Sequence, residues 1–489
     1  MTTYEHLFQE LDPALCERAR QTRDARFDGR FFIGVTSTRI YCRPICPVQP
    51  PKPENVRFYP SAAAAEVAGF RPCLRCRPET APGTPAWVGT GATVARALRL
   101  IDAGALDRGS VGELAERLGV GERYLRKLFE AQVGASPLAV AKTRRLHLAK
   151  QLLSDTDLPM PRVAEAAGFS SLRRFNAAFQ ETYQRTPGSL RRKALGGAGA
   201  CSLRLAYREP WDFEQFRKHF ALRALAGLEQ VDDRGYARSF RIGTVTGWFR
   251  LRPIPEARVI ELSVSGCATP VLSTLVARVR RMFDLDADPT LITDHLAADP
   301  VLAPLVARWP GLRLPTAFDP FEQAVRAIVG QQVTVKAAVT VTGRLVSRLG
   351  EALPDAPPGG PDRLFPTPAA IAGATLDGLG MPGKRLETLQ GFARAVAEGR
   401  LALHADQGVD KLIAALRALP GFGPWTAEYI ALRAFGEPDA FPASDLGLLK
   451  AKVWGEGGIS ARALSERAEA WRPWRAYAAV YLWQSYSEG

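Results

Sequence analysis

Cys42 and Cys46, then Cys73 and Cys76, stand as C-x3-C, a gap of about 26 residues, and C-x2-C, and no other feature narrows the possible folds of this chain so sharply. The pattern is that of a tetrahedral thiolate zinc site, two short chelate loops closed by a longer one. A loop-rich segment of about 80 residues buries too little apolar surface to hold itself together, and metal binding would supply the missing folding free energy. One Zn2+ held by these four cysteines is therefore expected. The alternative, four unrelated buried thiols, accounts poorly for two short paired spacings in a reducing compartment. The expected compartment is the cytoplasm, because the start, Met1-Thr-Thr-Tyr-Glu-His6, lacks the basic and apolar regions of a signal peptide. No apolar run reaches membrane-spanning length, so no membrane partner is expected.

A chain of 489 residues is too long for one core and implies about three or four domains. Pro/Gly-rich breaks at 82–85 and 195–200, and a softer one at 310–315, mark out segments 1–82, 86–195, 201–314 and 315–489. The second reads as all-helical, from helical spacing in Leu114-Ala115-Leu118, Leu125-Leu128-Phe129, Leu146-Leu148-Leu152 and Phe175-Phe179. In the third, 203–207, 236–252 and 258–264 alternate like strands before a helix from Pro270 to Phe283, which predicts an α+β piece. The fourth is helical from Phe321 onward, with Pro354 to Pro361 as a surface loop. The expected fold class is thus multidomain, mainly α with α+β parts. The formal net charge of +14 favours a polyanionic partner, and about +8 of it sits between 86 and 195.

That basic segment carries one pattern twice. Val111 to Phe129 reads as a helix, a turn at Gly119 and a second helix bearing Arg123, Arg126 and Lys127. Val163 to Phe179 repeats it, with the turn at Gly168 and with Ser171, Leu172, Arg173 and Asn176 facing outward. A second helix of this kind can enter a major groove, with the basic residues neutralising phosphates, so double-stranded DNA is the expected partner. A solvated helix face explains any one of these cations but not two copies with the same turn. With Gly134-Ala-Ser-Pro-Leu138 and Arg185-Thr-Pro-Gly-Ser-Leu190 following the two units, the segment resembles an AraC-type DNA-binding domain.

Near the other end, Leu419-Pro-Gly-Phe-Gly-Pro-Trp-Thr-Ala-Glu-Tyr-Ile430 has the form of a helix-hairpin-helix. Gly421 and Gly423 permit the tight turn, and the start of the following helix offers N–H groups to a DNA phosphate. About 20 residues on stands Asp445, in Phe441-Pro-Ala-Ser-Asp-Leu-Gly447, whereas Asp439 reads as a loop or cap residue. A fixed carboxylate stabilises the oxocarbenium-like sugar left when a base departs. The competing reading of Asp445 is a helix N-cap.

Three resemblances follow from these motifs. Tyr41-Cys-Arg-Pro-Ile-Cys46 and Gly69-Phe-Arg-Pro-Cys-Leu-Arg-Cys-Arg-Pro78 resemble the zinc domain of the Ada family. That implies that Cys42 accepts a methyl group from a DNA phosphotriester and that its methylation turns the DNA-binding domain into an activator, with RNA polymerase as partner. Tyr236-Ala-Arg-Ser239, Gly311 to Pro315, Phe321 to Gln331, Leu379 to Lys384 and Trp471 to Ala478 resemble the AlkA family of 3-methyladenine glycosylases, from about 203 to the end. This resemblance implies a base pocket of Trp425, Tyr429 and Trp483, a catalytic Asp445, and a minor-groove wedge at Gln332, where the family pattern has an apolar residue. Bifunctional relatives carry a Schiff-base lysine at the position of Trp425, so a monofunctional enzyme is expected. No iron–sulfur cluster is expected, since Cys201 and Cys267 are the last cysteines. The whole then resembles an Ada–AlkA fusion, a nucleoid-associated monomer in which glycosylase chemistry replaces the alkylguanine transferase. The alternative is a regulator alone, with an inactive glycosylase-like scaffold.

Overall fold

The computed structural model describes residues 12–82, 92–191 and 200–487, and the chain divides into two compact units, Met1–Arg208 with Ile254–Ala277 and Glu209–Pro253 with Arg278–Gly489. Apart from Pro82 and Ala200, the breaks expected at 82–85 and 195–200 fall outside the described residues.

In the first unit, helix α1 (Pro13–Thr22) starts at Asp12, whose carboxylate accepts the Ala14 N–H at 2.9 Å. Strands β1 (Phe32–Val35), β2 (Ile40–Cys42), β3 (Val56–Tyr59) and β4 (Arg71–Pro72), with α2 (Ala62–Val67) before the last, form a sheet in the order β3-β1-β2-β4. β1 is antiparallel to both neighbours, while β2 and β4 run parallel with Tyr41 opposite Pro72. That parallel register brings together the two cysteine pairs, because Cys42 and Cys73 are the residues that come next on each strand.

Among the described residues seven α-helices follow: α3 (Ala92–Asp102), α4 (Ala105–Arg108), α5 (Val111–Arg117), α6 (Glu122–Val133), α7 (Pro137–Asp155), α8 (Met160–Ala166) and α9 (Leu172–Tyr183). Ser110 and Glu113 form a reciprocal capping box at α5, and Ser136 caps the long α7 ahead of Pro137. Gly119 and Gly168 turn α5 into α6 and α8 into α9 at φ of 70° and 83°, left-handed backbone that side chains resist. A Cβ on Gly168 would also lie 2.3 Å from the Asp107 carboxyl carbon. Strand β5 (Ala200–Ala206) pairs antiparallel with residues 259–265.

A buried polar seam ties the small sheet to α7. The Tyr41 hydroxyl lies 2.9 Å from both Glu66 Oε1 and His147 Nε2, and Thr143 donates to Glu66 Oε2 at 2.6 Å. Burial pushes the Glu66 carboxyl up to about 7 against the pull of Thr143, Tyr41 and Lys142. It pushes the His147 imidazole down to about 4, opposed by Glu79 and reinforced by Lys150. Stability linked to Glu66 is full below the ordinary carboxylate value and is lost as pH rises toward 7. Stability linked to His147 is full above the ordinary imidazole value and is lost as pH falls toward 4. Between the two values the effects oppose each other, so the seam is nearly pH-neutral. We expect single substitutions to unmask each half. Glu66→Gln should lose protection as pH falls, and His147→Gln should lose it as pH rises, each by up to about 3 kcal/mol. Hydrogen-exchange protection of α7 between about pH 4.5 and 7, corrected for intrinsic rates, checks the signs. The same slope in both variants would contradict this account.

The second unit begins with α10 (Phe213–Ala221) and an antiparallel meander of β6 (Glu229–Asp232), β7 (Gly235–Ile242) and β8 (Val245–Ile254). The single alternating run expected over 236–252 is thus two strands, broken at Gly243 with φ of 59°. Helix α11 (Leu272–Met282), whose residues are divided between the two units after Ala277, corresponds to the one expected from Pro270, and α12 (Pro289–Leu296) and α13 (Ala303–Arg308) follow. The Pro310 to Pro315 stretch is not an exposed linker. Arg313 is fully buried there, donating to the carbonyls of Asp284, Ala287 and Pro210, so its Pro and Gly shape an internal turn.

The rest is helical: α14 (Pro320–Val329), α15 (Val335–Leu349), α16 (Pro368–Gly373), α17 (Gly383–Ala397), α18 (Val409–Arg417), α19 (Pro424–Phe435), α20 (Leu446–Leu449), α21 (Ala461–Ala468) and α22 (Arg475–Ser487). Ala324, Val325 and Ile328 of α14 bury against Ala427, Ile430 and Ala434 of α19 and Phe392 of α17. The expected loop from Pro354 to Pro361 is largely exposed. Buried ion pairs from Arg238 to Glu322 at 2.7 Å and from Arg326 to Glu229 at 2.6 Å join the meander to α14.

Candidate functional site

Leu419 to Pro424 links α18 to α19. Gly421 takes φ of 82°, and a Cβ there would strike Thr388 Oγ1 at 2.2 Å, so both conformation and space demand glycine. Gly423 is the N-cap of α19 with Pro424 behind it, and both glycines are exposed. First-turn N–H groups of such a helix have no intrahelical acceptor and carry the positive end of its dipole, which suits a phosphate.

Asp445 sits in the loop after α19 and is the N-cap of α20. Its Oδ1 accepts the Gly447 N–H at 2.9 Å and the Leu448 N–H at 3.3 Å. The capping reading and the functional one are therefore both met by one side chain, because the carboxylate has further donors. Trp483 Nε1 donates to Oδ1 and Trp425 Nε1 to Oδ2, each at 2.8 Å. Trp425 and Tyr429 are one turn apart on α19 and stack, centroids 5.0 Å apart and planes 16° apart. Trp483, on α22, stands edge-on to Tyr429 at 6.3 Å. All three rings and Asp445 are half-buried. Aromatic faces beside an oriented carboxylate can hold a flat, electron-poor ring and stabilise positive charge next to it.

Gln332 lies between α14 and α15, exposed and at φ of 55°, a region costly for a residue other than glycine. Gln331 pins this loop to the hairpin by donating to Gly421 O at 3.1 Å and Thr426 Oγ1 at 3.0 Å. Val333 beside it is 42% exposed. Sequence reasoning passed over Gln331 and Val333, and also Arg433, which lies a further turn along the stripe of Trp425 and Tyr429. The i, i+4, i+8 spacing was the available signal. Asp439 is a loop anchor, ion-paired with Arg472 and with Arg475.

The sulfurs of Cys42, Cys46, Cys73 and Cys76 all lie within 4.8 Å of one another and are buried. Four thiolates about 2.3 Å from a tetrahedral zinc ion would have such mutual spacings, so the cluster fits the ion. The Arg43 N–H points at Cys76 Sγ, 3.4 Å away, and the Arg43 side chain is locked by Asp28, Cys76 O and Thr80.

On α6, Arg123, Arg126 and Lys127 are exposed, and Arg126 pairs with Glu122 at 2.6 Å. On α9, Arg173 and Asn176 are exposed, whereas Ser171 caps the helix, its Oγ accepting the Arg174 N–H at 3.2 Å. Ser171 is exposed as well, so its hydroxyl caps the helix from an outward-facing position. Leu125 and Phe129 of α6 and Phe175 and Phe179 of α9 are fully buried at matching positions, so the two units repeat in three dimensions.

Comparison with known proteins finds four family matches along the chain. Residues 15–79 match the metal binding domain of Ada, 114–193 a helix-turn-helix domain, 202–319 the AlkA N-terminal domain and 325–473 the HhH-GPD superfamily of base excision DNA repair proteins. The chain is 44% identical over 476 residues, 96% of its length and 95% of the other's, to the "Probable bifunctional transcriptional activator/DNA repair enzyme AlkA" of Mycobacterium tuberculosis. It is 36% identical over 288 residues, 58% of its length and 97% of the other's, to DNA-3-methyladenine glycosylase 2 of Escherichia coli. The fold is shared with a 3-methyladenine DNA-glycosylase from Archaeoglobus fulgidus, at a TM-score of 0.51 and 22% identity over 58% of this chain and 98% of that one. Among the described residues, no helix is long and apolar enough to cross a membrane.

Proposed function

Because this chain belongs to the family of bifunctional transcriptional activators and DNA repair enzymes of the AlkA type, we propose that it excises alkylated bases from double-stranded DNA as a monofunctional glycosylase and repairs methylated phosphate at Cys42. The carboxylate of Asp445, aimed by the indole N–H groups of Trp425 and Trp483, carries the reading. A base flipped from the duplex stacks against Trp425, Tyr429 and Trp483. As the C1′–N bond breaks, its electrons leave with the base, and Asp445 faces the cationic sugar until a water oxygen bonds to C1′. Gly421 and Gly423 hold the DNA phosphate, and Gln332 fills the gap left in the stack. Trp425 offers no amine, so no Schiff base forms and the strand stays intact.

Cys42, Cys46, Cys73 and Cys76 would hold the zinc ion, which when bound keeps the sulfurs as thiolates at neutral pH. The Cys42 sulfur bonds to the methyl carbon as the methyl–oxygen bond of the phosphotriester breaks, its electron pair returning to the phosphate. Each site acts once. Arg123, Arg126, Lys127, Arg173 and Asn176 on α6 and α9 bind promoter DNA, with Ser171 fixing the start of the second helix. The protein acts as a cytoplasmic, nucleoid-associated monomer that recruits RNA polymerase. The working domains are 1–82, 86–195, 201–314 and 315–489.

One experiment tests both activities. After incubation with chemically methylated duplex DNA, chromatography should find free methylated base without strand breaks, and peptide mass spectrometry should find one methyl group on Cys42 and none on Cys201. Promoter binding without base release would favour a regulator on an inactive scaffold. An unmodified Cys42 would leave the N-terminal half as a DNA tether.

A further inference from the structure

Trp425, Tyr429 and Arg433 follow one another at four-residue steps on α19 and so share one face of the helix. The Arg433 guanidinium carbon lies 4.6 Å from the ring centroid of Trp483 and 6.0 Å from that of Tyr429. Its Nη1 donates to Pro315 O at 2.9 Å, while its Nε is buried without a partner. The side chain as a whole is only 6% exposed. Among the described residues, its side chain meets a carbonyl, the Tyr429 side chain and the Trp483 ring, and no ion pair with a carboxylate is formed. Burial lowers this guanidinium to about 10, with Tyr429 and Asp445 holding it up, so it stays charged at neutral pH. With no carboxylate in direct contact the charge is only partly offset, and its field reaches the space beside Trp483. Trp483 in turn donates to Asp445 at 2.8 Å, so the guanidinium lies one ring away from the carboxylate of the site.

Resting on the glycosylase reading above, we propose that Arg433 is a positioning residue that sets the charge balance of the base pocket and so tilts its preference between uncharged and cationic altered bases. When the C1′–N bond breaks, both electrons go to the base. A base that starts cationic leaves neutral and needs no help from a nearby cation, which instead opposes its binding. A base that starts neutral leaves as an anion and takes a proton from water, and the fixed guanidinium lowers the energy of that anion. The sugar, now cationic, is stabilised by Asp445, takes up water at C1′ and loses the water's proton to solvent. One buried cation therefore shifts preference between two chemical classes of substrate without touching the reacting bond.

The test is single-turnover excision by the full chain from duplexes holding one 7-methylguanine, which is cationic, or one hypoxanthine, which is uncharged. We expect Arg433→Met to lose hypoxanthine release by about tenfold or more while 7-methylguanine release holds or rises, and Arg433→Lys to restore the wild-type ratio. If the methionine variant does not fold, as judged by circular dichroism, Arg433→Gln is read against the same expectation. Equal losses on both substrates, a lysine variant that behaves like the methionine one, or wild-type release of 7-methylguanine alone would overturn the proposal. Wild type that releases neither base would instead overturn the glycosylase reading on which it rests.

Discussion

Asp445→Asn should lower single-turnover base release by about a thousandfold or more while leaving the fold and the affinity for abasic DNA in place. The substitution separates the two duties of this side chain. Asparagine caps helices about as well as aspartate, so α20 should keep the Gly447 and Leu448 N–H bonds now made to Oδ1. Trp483 also donates to Oδ1, and an amide oxygen there can still accept from it. The loss falls on Oδ2, where an amide NH2 would face the Trp425 N–H donor, and on the full negative charge opposite the sugar. One unmet indole N–H costs about 1–3 kcal/mol and can be relieved by a small rotation. The missing charge acts only when the sugar becomes cationic, so it should appear in the rate and not in binding. A variant that melts like wild type, binds abasic duplex equally well and still excises at the wild-type rate would refute the role assigned to Asp445.

The legible parts of this molecule were those written in short spacings. The two cysteine pairs announce a four-ligand cluster because each pair spans one tight loop, and the structure needs only the β2–β4 register to close it. Gly421, Gly423 and Asp445 lie within one local segment, as do the two helix-turn-helix units with Gly119 and Gly168. What could not be read depends on partners far away in sequence. The Tyr41–Glu66–His147 seam joins residues as many as 106 positions apart, and nothing local marks those side chains as buried. Arg313 looked like part of a linker because Pro310, Gly311 and Pro315 punctuate it, yet its guanidinium satisfies three distant carbonyls. Arg433 sits at helical spacing from two aromatic residues that were recognised, but a cation in such a stripe reads by default as a solvated face. Only burial against Trp483 distinguishes it.

Removing zinc should unfold the sheet of β1 to β4 and abolish DNA-methyl acceptance while sparing base release. The apolar core of this piece is small, with Phe31, Ile33 and Val56 in one cluster and Phe32, Tyr41 and Phe70 in another. Four thiolates brought within 4.8 Å would repel one another strongly, so a metal-free cluster takes up protons and loses the bonds by which the metal joins the two loops. Structural zinc contributes about 10–16 kcal/mol of apparent binding free energy in small peptides, far more than so few buried side chains can replace. The second short spacing makes the prediction specific. Cys76→Ser should release the metal as a chelator does, because an alcohol oxygen is a poor zinc ligand and Arg43 N–H would lose its contact with Cys76 Sγ. Hydrogen exchange across residues 12–82 should then rise toward unprotected rates, and α7 should lose protection near Thr143 and His147, whose bonds to Glu66 and Tyr41 depend on the sheet. Excision from a short duplex should stay within about twofold of wild type, because Asp445, its two indoles and the hairpin all belong to the other compact unit. Full protection of residues 12–82 after complete metal removal would show that the cysteines are core thiols, and a parallel collapse of base release would show that the two activities are not separable.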